Sequence, residues 1–132
     1  MPIQSVKEVC LYTSDLEKTQ AFYHDVLGFD IISHVPNRHV FFRLGQQVLL
    51  CFNPEVTRDE KKLPPHFAHG VQHIAFEVPF EEYEDWKEKL SSQGAKIVHE
   101  QHWRADRYSF YFYDPSGHLL EIVPPGIWEA GS

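Results

Sequence analysis

At 132 residues the chain is the size of one domain and can bury roughly two thirds of its unfolded surface without disulfide staples. Twelve Lys and Arg against nineteen Asp and Glu give a formal charge of −7, with the cations scattered apart from Lys61-Lys62, which argues against a nucleic-acid partner. No apolar run approaches the roughly 20 residues of a membrane-spanning helix. Met1-Pro2-Ile3-Gln4 has neither the basic start nor the apolar run of a signal peptide, and Cys10 and Cys51 lie in apolar runs as buried thiols. A soluble, cytoplasmic protein with no membrane partner is therefore expected.

Ser5–Thr13 alternates as a strand, with Val9 and Leu11 on one face and Val6, Glu8, Cys10 and Tyr12 on the other. Ser14-Asp15-Leu16-Glu17 has the form of a capping box and predicts a helix start. Leu16, Thr19, Phe22 or Tyr23, and Val26 recur at helical spacing, and Leu27-Gly28 supplies the stop. Three short strands follow at Phe29–Val35, His39–Leu44 and Gln47–Phe52, separated by Pro36-Asn37 and Gly45-Gln46 turns. Residues 53–70 lack periodicity, hold Pro54, Pro64 and Pro65, and read as a linker long enough to act as a flap.

The pattern then repeats. In Gln72–Val78, Ile74, Phe76 and Val78 point to a core face, while His73, Ala75 and Glu77 point to the other. Pro79-Phe80-Glu81-Glu82 opens a helix with acidic residues at its positive end; Tyr83, Trp86 and Leu90 mark its buried stripe, and Gly94 ends it. Strands are predicted at Lys96–His99, Tyr108–Tyr113 and His118–Val123, with Asp114-Pro115-Ser116-Gly117 as the turn between the last two. Ile127 and Trp128 make the tail apolar enough to dock, and its last residues should fray. Gly28 and Gly94 are 66 residues apart and Glu8 and His73 are 65 apart, the signature of a duplicated unit. The fold class expected is α+β, two tandem βαβββ modules forming a curled mixed-sheet cup with helices outside. Module one spans 5–52, the linker 53–70, module two 71–124 and the tail 125–132.

The strings Tyr12-Thr13-Ser14-Asp15-Leu16-Glu17, Phe22-Tyr23-His24-Asp25-Val26-Leu27-Gly28-Phe29, His73-Ile74-Ala75-Phe76 and Asp114-Pro115-Ser116-Gly117-His118-Leu119-Leu120-Glu121 resemble the vicinal oxygen chelate superfamily over nearly the whole chain. That superfamily includes glyoxalase I, extradiol dioxygenases, methylmalonyl-CoA epimerase and the fosfomycin and bleomycin resistance proteins. The resemblance implies metal ligands on the first and last strands of each module. Mapped onto this chain they fall on Glu8, His73 and Glu121, while the fourth position falls on Leu49 or Leu50, which offer no donor atom. Two carboxylates and one imidazole can hold a divalent cation with positions left open for water or a chelating substrate. Such a hard set suits Mn²⁺, Fe²⁺, Ni²⁺, Co²⁺ or Mg²⁺ about as readily as Zn²⁺.

Glu121 and Glu8 are the candidate catalytic bases, each able to move a proton between carbons of a substrate whose vicinal oxygens the metal holds. The spacing of His102 and Tyr111 resembles that of the assisting His and Tyr of the extradiol dioxygenases, although a pocket wall is the plainer reading of Tyr111 and a loop residue that of His102. Arg43 could grip a carboxylate or phosphate, against the commoner outward Arg of an edge strand. Arg104 and Arg107 sit where they could select an anionic substrate, or be solvated in a loop. His66 and His69 read as exposed linker residues and His24 as a surface helix residue.

The function expected is a metal-dependent lyase or isomerase of the glyoxalase-like type acting on a small substrate with vicinal oxygens. Alternatives are an extradiol-type ring-cleavage dioxygenase, a thiol transferase acting on an antibiotic such as fosfomycin, and a metal-free binding or drug-sequestering protein. A homodimer is expected in which Glu8 of one chain meets His73 and Glu121 of the other, with Ile127-Trp128 as a candidate interface patch.

Overall fold

The computed structural model describes residues 1–129, and the expected fraying of the last residues falls on positions outside that range. The chain divides into two compact units, Met1–Gly70 and Val71 onward. In the first, β1 (Glu8–Tyr12) is followed by α1 (Leu16–Gln20), which widens into a π-helical turn over Ala21–Val26. Then come β2 (Asp30–Val35), β3 (His39–Leu44), β4 (Gln47–Phe52) and the short α2 (Pro54–Thr57). In the second, β5 (His73–Glu77) leads through a 3₁₀ turn (Phe80–Glu82) to α3 (Tyr83–Ser92), and β6 (His99–Arg104), β7 (Arg107–Tyr113) and β8 (Leu119–Val123) complete it.

Both units have the same four-stranded sheet. The order is β1-β4-β3-β2 in one and β5-β8-β7-β6 in the other, and in each the first strand pairs parallel with the last. This is the α+β fold of two tandem βαβββ modules. Register makes the equivalence residue-specific: Glu8 faces Val48 as His73 faces Leu119, and Cys10 faces Leu50 as Ala75 faces Glu121.

Each helix covers one face of its own sheet, and the same kind of contact closes both cores. Tyr23 meets Phe42 at 5.5 Å between ring centroids, and Tyr83 meets Phe110 at 5.4 Å. Phe42, Phe110 and Phe112 are wholly buried, each contributing roughly 1.5–3 kcal/mol through the apolar area it removes from water. Gly28 and Gly94 take φ of 81° and 91° just past the helices they end, a conformation that carries no Cβ penalty in glycine.

Several local expectations are corrected. The first helix is capped by Asp15, whose side chain accepts from the Lys18 amide at 3.0 Å, rather than by Ser14. Thr13 Oγ1 accepts from the Asp15 amide at 3.1 Å and so turns Asp15 into the cap position. The strand expected at Lys96–His99 begins at His99 and runs to Arg104, because its first ladder contact is the Val98 amide on the Tyr111 carbonyl. Residues 53–70 belong with the first unit and are tied to it. The Arg38 guanidinium pairs with Glu60, Thr57 is buried, and the His66 amide donates to the Thr57 carbonyl at 3.2 Å. No helix among the described residues is long and apolar enough to cross a membrane.

Candidate metal centre

Beyond the helix-facing core, the second sheet turns a polar face outward, and two side chains meet there. His73, first on β5, and Glu121, central on β8, lie two residues apart in register on the same face. His73 Nε2 stands 3.0 Å from Glu121 Oε1, and His73 Nδ1 stands 2.9 Å from the Leu119 carbonyl oxygen. A carbonyl can only accept, so Nδ1 carries a proton, and it is Nε2, the nitrogen a metal would take through its lone pair, that faces the carboxylate. This is the second-sphere arrangement that orients a metal-binding imidazole. Two donors each roughly 2.1 Å from one cation, at a right angle, stand about 3 Å apart, so the separation fits a shared ion.

Burial of the two donors is unequal. The Glu121 side chain is 8% exposed and the His73 side chain 47%, so the carboxylate is held inside the sheet face while the imidazole reaches into solvent. Burying a carboxylate is costly without a cation or hydrogen-bond donors to meet it. Tyr111, directly across from Glu121 in register, supplies part of that environment, its ring 6.0 Å from that of His73. Burial pushes the Tyr111 hydroxyl above its ordinary pKa, and the Glu121 charge adds to the rise against a hydrogen bond with Ser109. Tyr111 thus stays a proton donor through the neutral range.

His73, Tyr111 and Glu121 share a cleft of about 400 Å³ with Trp103, Ile127 and Trp128. Among the described residues no three His, Cys, Asp or Glu side chains come together in a group that could hold a metal. Glu8 belongs to the first unit and opens β1, exposed, at the register position that His73 occupies in β5. By register Leu50, and not Leu49, is the counterpart of Glu121, because Leu50 faces Cys10 where Glu121 faces Ala75, while Leu49 is buried under the helix.

The other candidates fall elsewhere. Arg43 is exposed on β3, facing Val48 on one side and Asp30 on the other, which puts it on the same sheet face as Glu8. His102 lies in the β6–β7 hairpin, with Nε2 on the Ala105 carbonyl at 2.8 Å. Arg107 is committed to the tail and its neighbours: Nε donates to the Pro125 carbonyl at 2.8 Å, one terminal nitrogen pairs with Asp106, and the guanidinium covers the Phe80 ring. Arg104 is likewise held, donating to the Ile127 carbonyl at 2.9 Å. The positions that sequence reasoning did not connect with the site are Trp103 and the tail residues Ile127 and Trp128.

A family model for the Glyoxalase/Bleomycin resistance protein/Dioxygenase superfamily matches residues 5–122. The chain belongs to that superfamily. Metallothiol transferase FosB of Staphylococcus epidermidis is 30% identical over 124 residues, covering 92% of this chain and 82% of that protein. Glutathione transferase FosA of Serratia marcescens is 30% identical over 120 residues, covering 91% and 80%. Among solved structures, a lactoylglutathione lyase from Agrobacterium tumefaciens superposes with a TM-score of 0.92 at 31% identity, covering 98% of this chain and 99% of that one. These relatives are enzymes, and this member of the superfamily is an enzyme of the same glyoxalase-like kind.

Proposed function

We propose that the protein is a divalent-metal-dependent lyase or isomerase acting on a small substrate with vicinal oxygens, with His73, Glu121 and Glu8 as its metal ligands. The observation that carries this reading is the His73–Glu121 pair, with Nε2 and Oε1 3.0 Å apart and the imidazole fixed from behind by the Leu119 carbonyl. The bound ion, one of Mn²⁺, Fe²⁺, Ni²⁺, Co²⁺, Mg²⁺ or Zn²⁺, would polarise the substrate's paired oxygens and acidify the adjacent C–H.

The chain's own residues divide the remaining work. His73 anchors through Nε2, its ring held in place from behind by Nδ1 on the Leu119 carbonyl. Glu121 is buried and fixed, which suits a ligand. Glu8 is exposed and free to rotate, which suits a base that takes a proton from one carbon and returns it to the next. Tyr111 presents a protonated hydroxyl beside Glu121, placed to hydrogen-bond a substrate oxygen. Glu8 reaches this pair from a second copy of the chain, so the working unit is a homodimer with the site at the interface.

Metal content measured on protein purified without chelator tests the reading. Wild type should carry about one equivalent per site, and His73→Ala and Glu121→Gln should fall to background; a wild type no richer than its variants overturns the proposal. Oxygen consumption with catechols should be absent, and its presence would replace the isomerase with a ring-cleavage dioxygenase.

The similarity to FosB and FosA supports a second reading, thiol transfer to an antibiotic. An anionic antibiotic would need cations near the metal. Arg104 and Arg107 are spent on the tail, which leaves Arg43, on the Glu8 face, as the candidate. Metal-dependent loss of free thiol in the presence of fosfomycin, reduced in Arg43→Ala, would favour this reading over the first.

A further inference from the structure

The cleft that holds His73 and Glu121 is walled by a segment outside the duplicated modules. After β8 the chain turns through Pro124, Pro125 and Gly126 and lays Ile127 and Trp128 along the cleft. Three features fix this strap. Arg107 donates to the Pro125 carbonyl at 2.8 Å and Arg104 to the Ile127 carbonyl at 2.9 Å. The Glu129 carboxylate accepts from the Gly126 and Trp128 amides at 3.2 and 3.0 Å. Gly126 adopts φ of 99°, and a Cβ there would lie 2.8 Å from Arg107 Nε, so the turn and the arginine fit together only with glycine.

Ile127 is buried by this docking, but Trp128 remains 85% exposed. On the opposite strand pair, Trp103 is 48% exposed, with its indole N–H donating to Ser109 Oγ at 2.9 Å. That bond satisfies the polar edge of Trp103 and leaves its apolar face to the cleft. Two large aromatic faces thus stay open beside the His73–Glu121 pair in a space of about 400 Å³, within the size range of small-molecule sites. Glu121 is the one carboxylate in the lining, and the two nearby arginines are engaged elsewhere, Arg104 by the Ile127 carbonyl and Arg107 by the Pro125 carbonyl and the Asp106 carboxylate.

We infer that Trp103 and Trp128 form an aromatic slot for an apolar, preferably aromatic, group attached to the vicinal-oxygen centre of the substrate. Arg104 and Arg107 act as positioning residues that hold the Trp128 wall. This rests on the reading of His73 and Glu121 as metal ligands, and it excludes substrates whose remote end is a small or anionic group. Flat rings on indole faces gain both buried area and favourable ring geometry.

Acetohydroxamate and benzohydroxamate test the slot, because both present the same pair of vicinal oxygens and differ by a methyl against a phenyl group. Calorimetric titration of the metal-loaded protein should give a preference for the phenyl compound of roughly tenfold or more. Trp128→Ala should bring the two within roughly threefold, and Trp128→Phe should keep most of the preference. Trp128 is too exposed for its replacement to unfold the protein, and unchanged metal content in each variant checks this. Arg107→Gln should lower the preference without altering metal content. Equal affinities in wild type, or a preference untouched by Trp128→Ala, overturns the slot. A phenyl preference that persists equally in chelator-stripped protein leaves the slot standing and sinks the metal reading, whereas failure of both compounds to bind either form overturns both.

Discussion

The two modules share a sheet order and a way of covering it with a helix, yet their open faces have diverged completely. Along equivalent register positions, the first module shows Glu8, Cys10, Leu50 and Phe41 where the second shows His73, Ala75, Glu121 and Tyr111. On the helix-facing side, Leu49 and Phe42 match Leu120 and Phe112 almost without change, all of them buried. The helix-facing pattern is fixed by packing, since each residue must fill the same space under a helix. The other face carries no such constraint, and it is where the two copies have taken different chemical parts.

That contrast can be broken most forcefully at the core. Phe42→Ala and Phe112→Ala remove equivalent, fully buried rings, and each should cost about 3–5 kcal/mol of unfolding free energy in urea titration. If one cost several times the other, the modules would not be equivalent even on their packed faces. Each variant should also show whether the units unfold together, since a single shared transition requires loss of both.

The packed faces were legible in the sequence because alternation with period two and helical stripes record burial directly. The bounds of β3 and β4 follow from the apolar runs and the turns between them, and His73 and Glu121 fall on the face opposite the helix by the same alternation. What the pattern does not record is a strand exposed on both sides. β6 reads His-Glu-Gln-His-Trp-Arg, polar but for Trp103 and mostly exposed, and its position is set by backbone pairing with β7 rather than by side-chain burial. Trp103 was missed with it. The tail was legible as a segment that docks through Ile127 and Trp128, but not where it docks, for a related reason: arginine donors on backbone carbonyls hold it, and carbonyls are the same at every residue.

A smaller effect sharpens the comparison on the open faces. Leu50→Glu copies into the first module the carboxylate that Glu121 supplies in the second. Leu50 is only half-buried, so the substitution should be tolerated, and a fourth ligand, the third carboxylate of the set, should tighten metal binding by roughly tenfold. Competition with a calibrated chelator measures this directly. Unchanged affinity in a folded Leu50→Glu protein would mean that the first module's open face does not meet the metal where register equivalence puts it.

The smallest expected difference concerns acid sensitivity, and it belongs to the first module alone. His39 is buried where the equivalent position on β7 is Ser109. Its Nδ1 faces the Arg38 guanidinium, which can only donate, so Nδ1 accepts and the ring proton sits on Nε2, bonded to Ser33 Oγ at 2.9 Å. A second proton would have to enter Nδ1 against a permanent cation. Burial first, then the charges of Arg38 and His34, hold the His39 pKa below its ordinary 6.5. The unfolded chain therefore binds a proton that the folded chain refuses. Stability is full above pH 6.5 and declines as pH falls from there through the folded-state value. His39→Gln should flatten that part of the stability profile while leaving the loss at lower pH, where the carboxylates titrate. A melting temperature that falls equally steeply between pH 6.5 and 5 in wild type and His39→Gln would show that the neutral imidazole is not the source.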